Sequence, residues 1–232
     1  MNCFKSVKIN TAKNTKINQV NNQAKIAIAT TLLMQALQMF SFVLPSNWQT
    51  LMPSASALPG QTPEQVIDWI KGNPALRPAI GEKLLVRKSD TPSRRFQFQA
   101  SVVLPGIAEV QGSARIIRSE QIKFFDIING VTRSRLEESL RSIYGPEIMR
   151  DYATAQKVYA YPTAAMVLRS QAKNASPLLA ALQGELRKGK KYGYWVELLQ
   201  NGKGSANSGR ITVFELDSLP KLEQELRKRE DF

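Results

Sequence analysis

The run Arg95-Phe96-Gln97-Phe98-Gln99-Ala100-Ser101-Val102 decides the fold class of this chain. Phe96, Phe98, Ala100 and Val102 fall on one side, and Arg95, Gln97, Gln99 and Ser101 on the other. Apolar residues at every second position mark an antiparallel strand with one face in a core and one in water. Strands of a parallel sheet, buried on both faces, read instead as continuous apolar runs.

Upstream, Lys83–Lys88 reads as a strand, with a turn over Ser89-Asp90-Thr91-Pro92-Ser93. Downstream, Ala114–Ile128 gives one long strand or two short ones. Tyr192, Tyr194, Val196 and Leu198 alternate again, and Arg210–Leu216 returns as their partner across the glycine-rich loop Asn201–Gly209. Lys157–Tyr161 is strand-like and ends at Pro162, Thr163–Arg169 fits strand or helix equally, and Ser176–Leu182 reads as a short helical turn.

Helices punctuate these strands. Thr62-Pro63-Glu64-Gln65 opens one with a capping box and a proline in the first turn; Val66, Trp69 and Ile70 share a face, and Gly72 stops it. Thr132 caps a second, with Leu136, Leu140 and Ile143 inward, Glu137 and Arg141 spaced to pair, and Gly145-Pro146 closing it. A third follows from Pro146 to Tyr152. The last, capped by Asp217 or Ser218, turns Leu219, Leu222 and Leu226 inward. The expected fold is α+β: an antiparallel sheet of several strands with short helices packed on one face or at its edges. Strands followed by a helix occur before Thr132 and again before Ser218, which raises a duplicated βββα unit without a recurring residue pattern to support it.

The first 57 residues have a different character. They contain no acidic residue, and their charges are Lys5, Lys8, Lys13, Lys16 and Lys25. The apolar run Ile26–Leu44 follows, then a polar stretch ending in Ala55-Ser56-Ala57. A basic start, an apolar middle and a small-residue close are the parts of a secretory signal, so residues 1–57 read as a removable export signal, or a membrane anchor if retained. Residues 58–61 form a short linker and 62–232 a single domain, placed in the periplasm or outside the cell. Without the five lysines, 27 basic side chains face 19 acidic ones, a net charge of +8. That excess suits an anionic polymer, a lipid headgroup or an acidic protein; nucleic acid ranks behind them, for want of a recognition motif.

Composition excludes much chemistry. The chain has no histidine and its one cysteine, Cys3, lies in the signal. Imidazole bases, Ser-His-Asp and Cys-His catalysis, redox pairs and thiolate zinc sites are therefore ruled out of the domain. The Ser-x-x-Lys patterns Ser170–Lys173 and Ser218–Lys221 lack the companion elements of the penicillin-binding enzymes. Gly202–Gly209 lacks P-loop spacing. Glu109 with Glu120, or Glu197 with Glu215, would make a hydrolytic carboxylate pair only if the fold joined them. No cofactor or metal is expected. The positive signals are two basic groups: Arg87, Lys88, Arg94 and Arg95 around one turn, and Arg187, Lys188, Lys190 and Lys191 before Tyr192, Tyr194 and Trp195. The reading is a non-enzymatic exported binding or structural domain engaging an anionic envelope component or a protein through these groups. A carboxylate hydrolase or a membrane-tethered subunit is the alternative.

Overall fold

The structure is a computed structural model, and it describes residues 58–104, 115–172, 176, 178–201 and 204–229. Residues 1–57, Glu109 and Lys173 lie outside the described residues. Seven strands form one sheet: β1 Leu85–Thr91, β2 Arg94–Ser101, β3 Ser119–Asp126, β4 Gln156–Tyr161, β5 Leu182–Lys188, β6 Tyr192–Gln200 and β7 Ala206–Glu215. Among the described residues six helices accompany them: α1 Pro63–Gly72, α2 Arg133–Tyr144, α3 Pro146–Thr154, α4 Ala164–Ser170, the single turn α5 Leu178–Ala181, and α6 Leu219–Lys228. The sheet order is β1-β2-β3-β7-β6-β5-β4, and every neighbouring pair is antiparallel. The chain is an α+β protein.

Alternation assigns the two faces. Tyr194, Val196, Phe98, Ile122, Ile211 and Val213 enter one core with Val66 and Ile70 of α1, Leu136 and Leu140 of α2, and Ile148 of α3. This is the front face. Trp195, between two front residues, points to the back, where Phe214, Leu186, Tyr159 and Tyr161 meet Leu222 and Leu226 of α6 and Met166 of α4. Helices thus lie on both faces, and α6 covers only the part of the back face over β4–β7.

Local signals work as the sequence implies. Thr62 and Gln65 exchange capping hydrogen bonds at 3.4 and 3.0 Å, and Trp69 of α1 stacks on Tyr144 of α2 at 5.7 Å. Thr132 accepts from the Arg135 amide, and Gly145, at φ +84°, ends α2 so that Pro146 can open α3. Other details differ. Arg141 pairs with Glu138 one turn away, because Glu137 accepts instead from the Tyr152 hydroxyl at 2.9 Å. A 3-10 turn, Leu216–Ser218, leads into α6, and Ser218 makes no side-chain cap.

β1-β2-β3 and β5-β6-β7 are two meanders joined antiparallel at β3 and β7. A true duplication would relate them by a two-fold axis normal to the sheet, which keeps both following helices on one face. Here α2 packs on the front and α6 on the back. The two units are therefore not related by that axis.

Candidate functional site

The registers align the back-face residues in transverse rows. One row runs Arg87, Gln97, Lys123, Arg210, Glu197, Gly184, Tyr161, crossing all seven strands. The adjacent row runs Ser89, Arg95, Phe125, Ser208, Leu199, Leu182. On the other side lie Leu85, Gln99, Gln121, Thr212, Trp195, Leu186 and Tyr159. Over β4–β6, Tyr161, Tyr159, Leu186 and Trp195 pass beneath α6, whereas Leu199 stays exposed. Over β1–β3 and the start of β7, no helix among the described residues covers these rows.

At the boundary Glu197 is nearly buried and heavily used. It accepts from the Tyr161 hydroxyl, pairs with Arg210 at 2.6 Å and lies 3.6 Å from Arg229. Trp195 Nε1 donates to the same tyrosine oxygen at 2.9 Å. The Arg210 guanidinium also sits over the Trp195 ring at 4.3 Å. Burial first, then the Glu197 charge, raises the Tyr161 phenol, so it stays a neutral donor. Glu197 is thus a strut that fixes the rim of the open half.

Beyond the strut the open half is cationic. Arg87, Arg95 and Lys123 have no ion pair with an acidic residue among the described residues. At a strand spacing of ~4.8 Å, Arg87 and Arg210 stand about 14 Å apart with Lys123 between them. Burial, and next the Arg210 charge, hold the Lys123 ammonium below its ordinary pKa, with Glu197 opposing. The Arg95 guanidinium lies over the Phe125 ring at 4.5 Å. A recess of about 430 Å3 opens here, with Arg87, Ser89, Arg95, Gln97, Lys123 and Phe125 among its lining.

The basic residues expected from sequence are dispersed by this geometry. Arg87 and Arg95 share the back face. Lys88 turns to the front, donates to the Ala75 carbonyl at 2.9 Å and lies over Phe96. Arg94 sits opposite Asp126 with its Nε buried and unpartnered. The second group lies at the other end of the sheet, level with Ser101 and Ser119, and separated from β2 by β3 and β7. There Arg187 pairs with Glu185 and stacks on Tyr152, Lys191 pairs with Glu147, and the Lys190 amide donates to Asp151. Lys188 and Lys190 remain exposed at the turn. The two groups do not converge. Sequence reasoning missed Lys123 and Arg210, whose juxtaposition needs the pairing of β3 with β7; the alternation Gln121-Lys123-Phe125 was the available hint.

The carboxylates do not assemble a hydrolytic pair. Glu197 points to the back, while Glu215 alternates to the front and pairs with Arg118 at 3.2 Å. Five residues of strand separate their levels, about 17 Å. Glu120 is fully buried in the front core. Ser218 is buried and hydrogen-bonded to Asp217. Among the described residues no three acidic side chains gather as metal ligands do, and no helix is long and apolar enough to cross a membrane.

No protein-family model, no curated protein and no solved structure matches this chain.

Proposed function

We propose that this chain is an exported, non-enzymatic binding domain whose open basic sheet face engages an anionic partner of the cell envelope or its surroundings. One observation supports this above others: Arg87, Arg95 and Lys123 stand together on a face that no helix among the described residues covers, none of them in an ion pair with a described acid, whereas Arg135, Arg187 and Lys191 are each paired with one. Like charges gathered across neighbouring strands work against folding. A purely structural sheet would alternate their sign, as β5 does around Glu185, which meets Arg133, Lys157 and Arg187. Export is supported by residues 1–57, basic and acid-free ahead of an apolar run.

The test is binding of the full chain to dextran sulfate against uncharged dextran. Binding should be confined to the sulfated polymer and should weaken as salt rises. Arg87→Gln combined with Lys123→Gln should weaken it, whereas Lys188→Gln with Lys190→Gln, which removes the same charge elsewhere, should not. Equal effects from the two pairs would defeat the assignment. Export is tested separately by the intact mass of the native protein, which should begin at Leu58.

A further inference from the structure

We infer that the occupant of the open face is an acidic polysaccharide carrying carboxylates, an inference that rests on the anion-binding reading above. Three features select it. First, the Arg95 guanidinium is seated over the Phe125 ring, 4.5 Å from the ring centre. The Arg95 guanidinium makes no side-chain ion pair with an acid among the described residues, and its N–H fork matches the two oxygens of a carboxylate. Secondly, the cations are interleaved with side-chain amides. Gln97 lies between Arg87 and Lys123 in one row, and Gln99 flanks it. Gln97 Nε2 donates to Gln99 Oε1 at 3.1 Å, which leaves one amide oxygen and one amide nitrogen for an outside partner. A chain bearing hydroxyls beside its charges uses both. Thirdly, Lys123 is half-buried in the recess rather than raised on its rim.

The alternatives fit less well. A bilayer presents a broad surface and rewards exposed basic and apolar side chains, whereas Lys123 is withdrawn from such a surface. Single-stranded nucleic acid stacks its bases on open aromatic rings, and the guanidinium of Arg95 already occupies a face of Phe125. A narrow sugar chain fits across this recess, with carboxylates at Arg95 and Lys123 and hydroxyls at the glutamines.

Calorimetric titration of the full chain at low salt tests this with four probes: oligogalacturonate, neutral maltodextrin, dextran sulfate and phosphatidylglycerol vesicles. Oligogalacturonate should bind most tightly and maltodextrin not at all. Arg95→Lys keeps the charge and loses the fork, and should weaken oligogalacturonate binding about tenfold at unchanged melting temperature. Gln97→Ala with Gln99→Ala should weaken it with the charge untouched. The inference is overturned if oligogalacturonate binds no better than maltodextrin, or if Arg95→Lys binds as the parent does. It is also overturned if dextran sulfate or vesicles bind as tightly with the same dependence on Arg95. In that last case the anion-binding reading stands and only the glycan is wrong; silence towards all three anionic probes removes both.

Discussion

Lys123 and Arg210 are direct cross-strand neighbours on the adjacent strands β3 and β7, and both point to the back face. Arg210 is balanced by Glu197 at 2.6 Å, but Lys123 has no acid of its own and is partly buried beside a second cation. Such a pair opposes folding by several tenths of a kcal/mol, up to about 1. Lys123→Gln should therefore melt no lower than the parent, while losing affinity for an anionic polymer. A chemical denaturation curve and a binding isotherm on the same variant check both halves. A variant less stable than the parent would show that Lys123 serves the fold.

Glu120 lies wholly inside the front core, and burial pushes its carboxyl up to about 7. The Tyr144 hydroxyl is close enough to temper the rise but does not reach hydrogen-bond geometry, so both carboxyl oxygens and the hydroxyl stay unsatisfied. The folded state holds this proton more tightly than the unfolded chain does, whose carboxyl has a pKa near 4.5. The associated stability is complete below pH 4.5 and is lost as pH rises through about 7. Glu120→Gln, which cannot ionise, should match the parent at pH 4.5 and exceed it at pH 8 by on the order of 3 kcal/mol. Parallel denaturation curves across pH measure the gap; one that stays constant contradicts the buried carboxyl.

Asp126 behaves in the opposite sense. It accepts the Ile128 and Asn129 amides at 3.0 and 2.9 Å and pairs with Arg135 at 2.6 Å. Chiefly the Asn129 amide, then Arg135, lower its carboxyl to about 2. Its contribution is present above pH 3.8 and disappears as pH falls through about 2. Asp126→Asn should lower the melting temperature at pH 7 and narrow its deficit as the solution is acidified. A deficit independent of pH would assign the residue a turn-forming role alone.

Gly184 sits opposite Tyr161, where a side-chain carbon would overlap the tyrosine ring. Gly184→Ala should destabilise by about 1–3 kcal/mol, and by less in a Tyr161→Leu background, since the two sites are coupled. A double-mutant cycle measures the difference, and strict additivity would contradict this packing.

The same glycine shows why part of the fold was hidden in the sequence. The alternation of Arg95–Val102 and Tyr192–Leu199, the capping box at Thr62 and the stripe of α2 were all legible because local chemistry and burial agree. β5 was not, and Ser176–Leu182 reads as a helical turn running into it. Its sequence Leu182-Gln183-Gly184-Glu185-Leu186-Arg187-Lys188 looks like a solvated segment, yet Glu185 and Arg187 are paired with each other, and Gly184 makes room for a ring from β4. Glu185 also pairs with Arg133, and the ring is that of Tyr161, so part of each compensation comes from a residue distant in sequence. Gly209 misled in the same way. The expected loop Asn201–Gly209 ends earlier, because β7 starts at Ala206 and Gly209 lies under Leu198 and Val131, which leave no space for a Cβ. For the site, Arg87 and Arg95 were visible as basic residues. That they join Lys123 and Arg210, and not Lys188 and Lys190, is set by strand order, which alternation alone does not encode.

The most direct test of the binding face is a map of backbone amide shifts during titration of the isotopically labelled full chain with oligogalacturonate. Perturbations should centre on Arg87, Arg95, Gln97, Lys123 and Arg210, fade towards β4 and be reversed by salt. Perturbations centred on the Lys188–Lys191 turn, or absent from β1–β3, would contradict this placement.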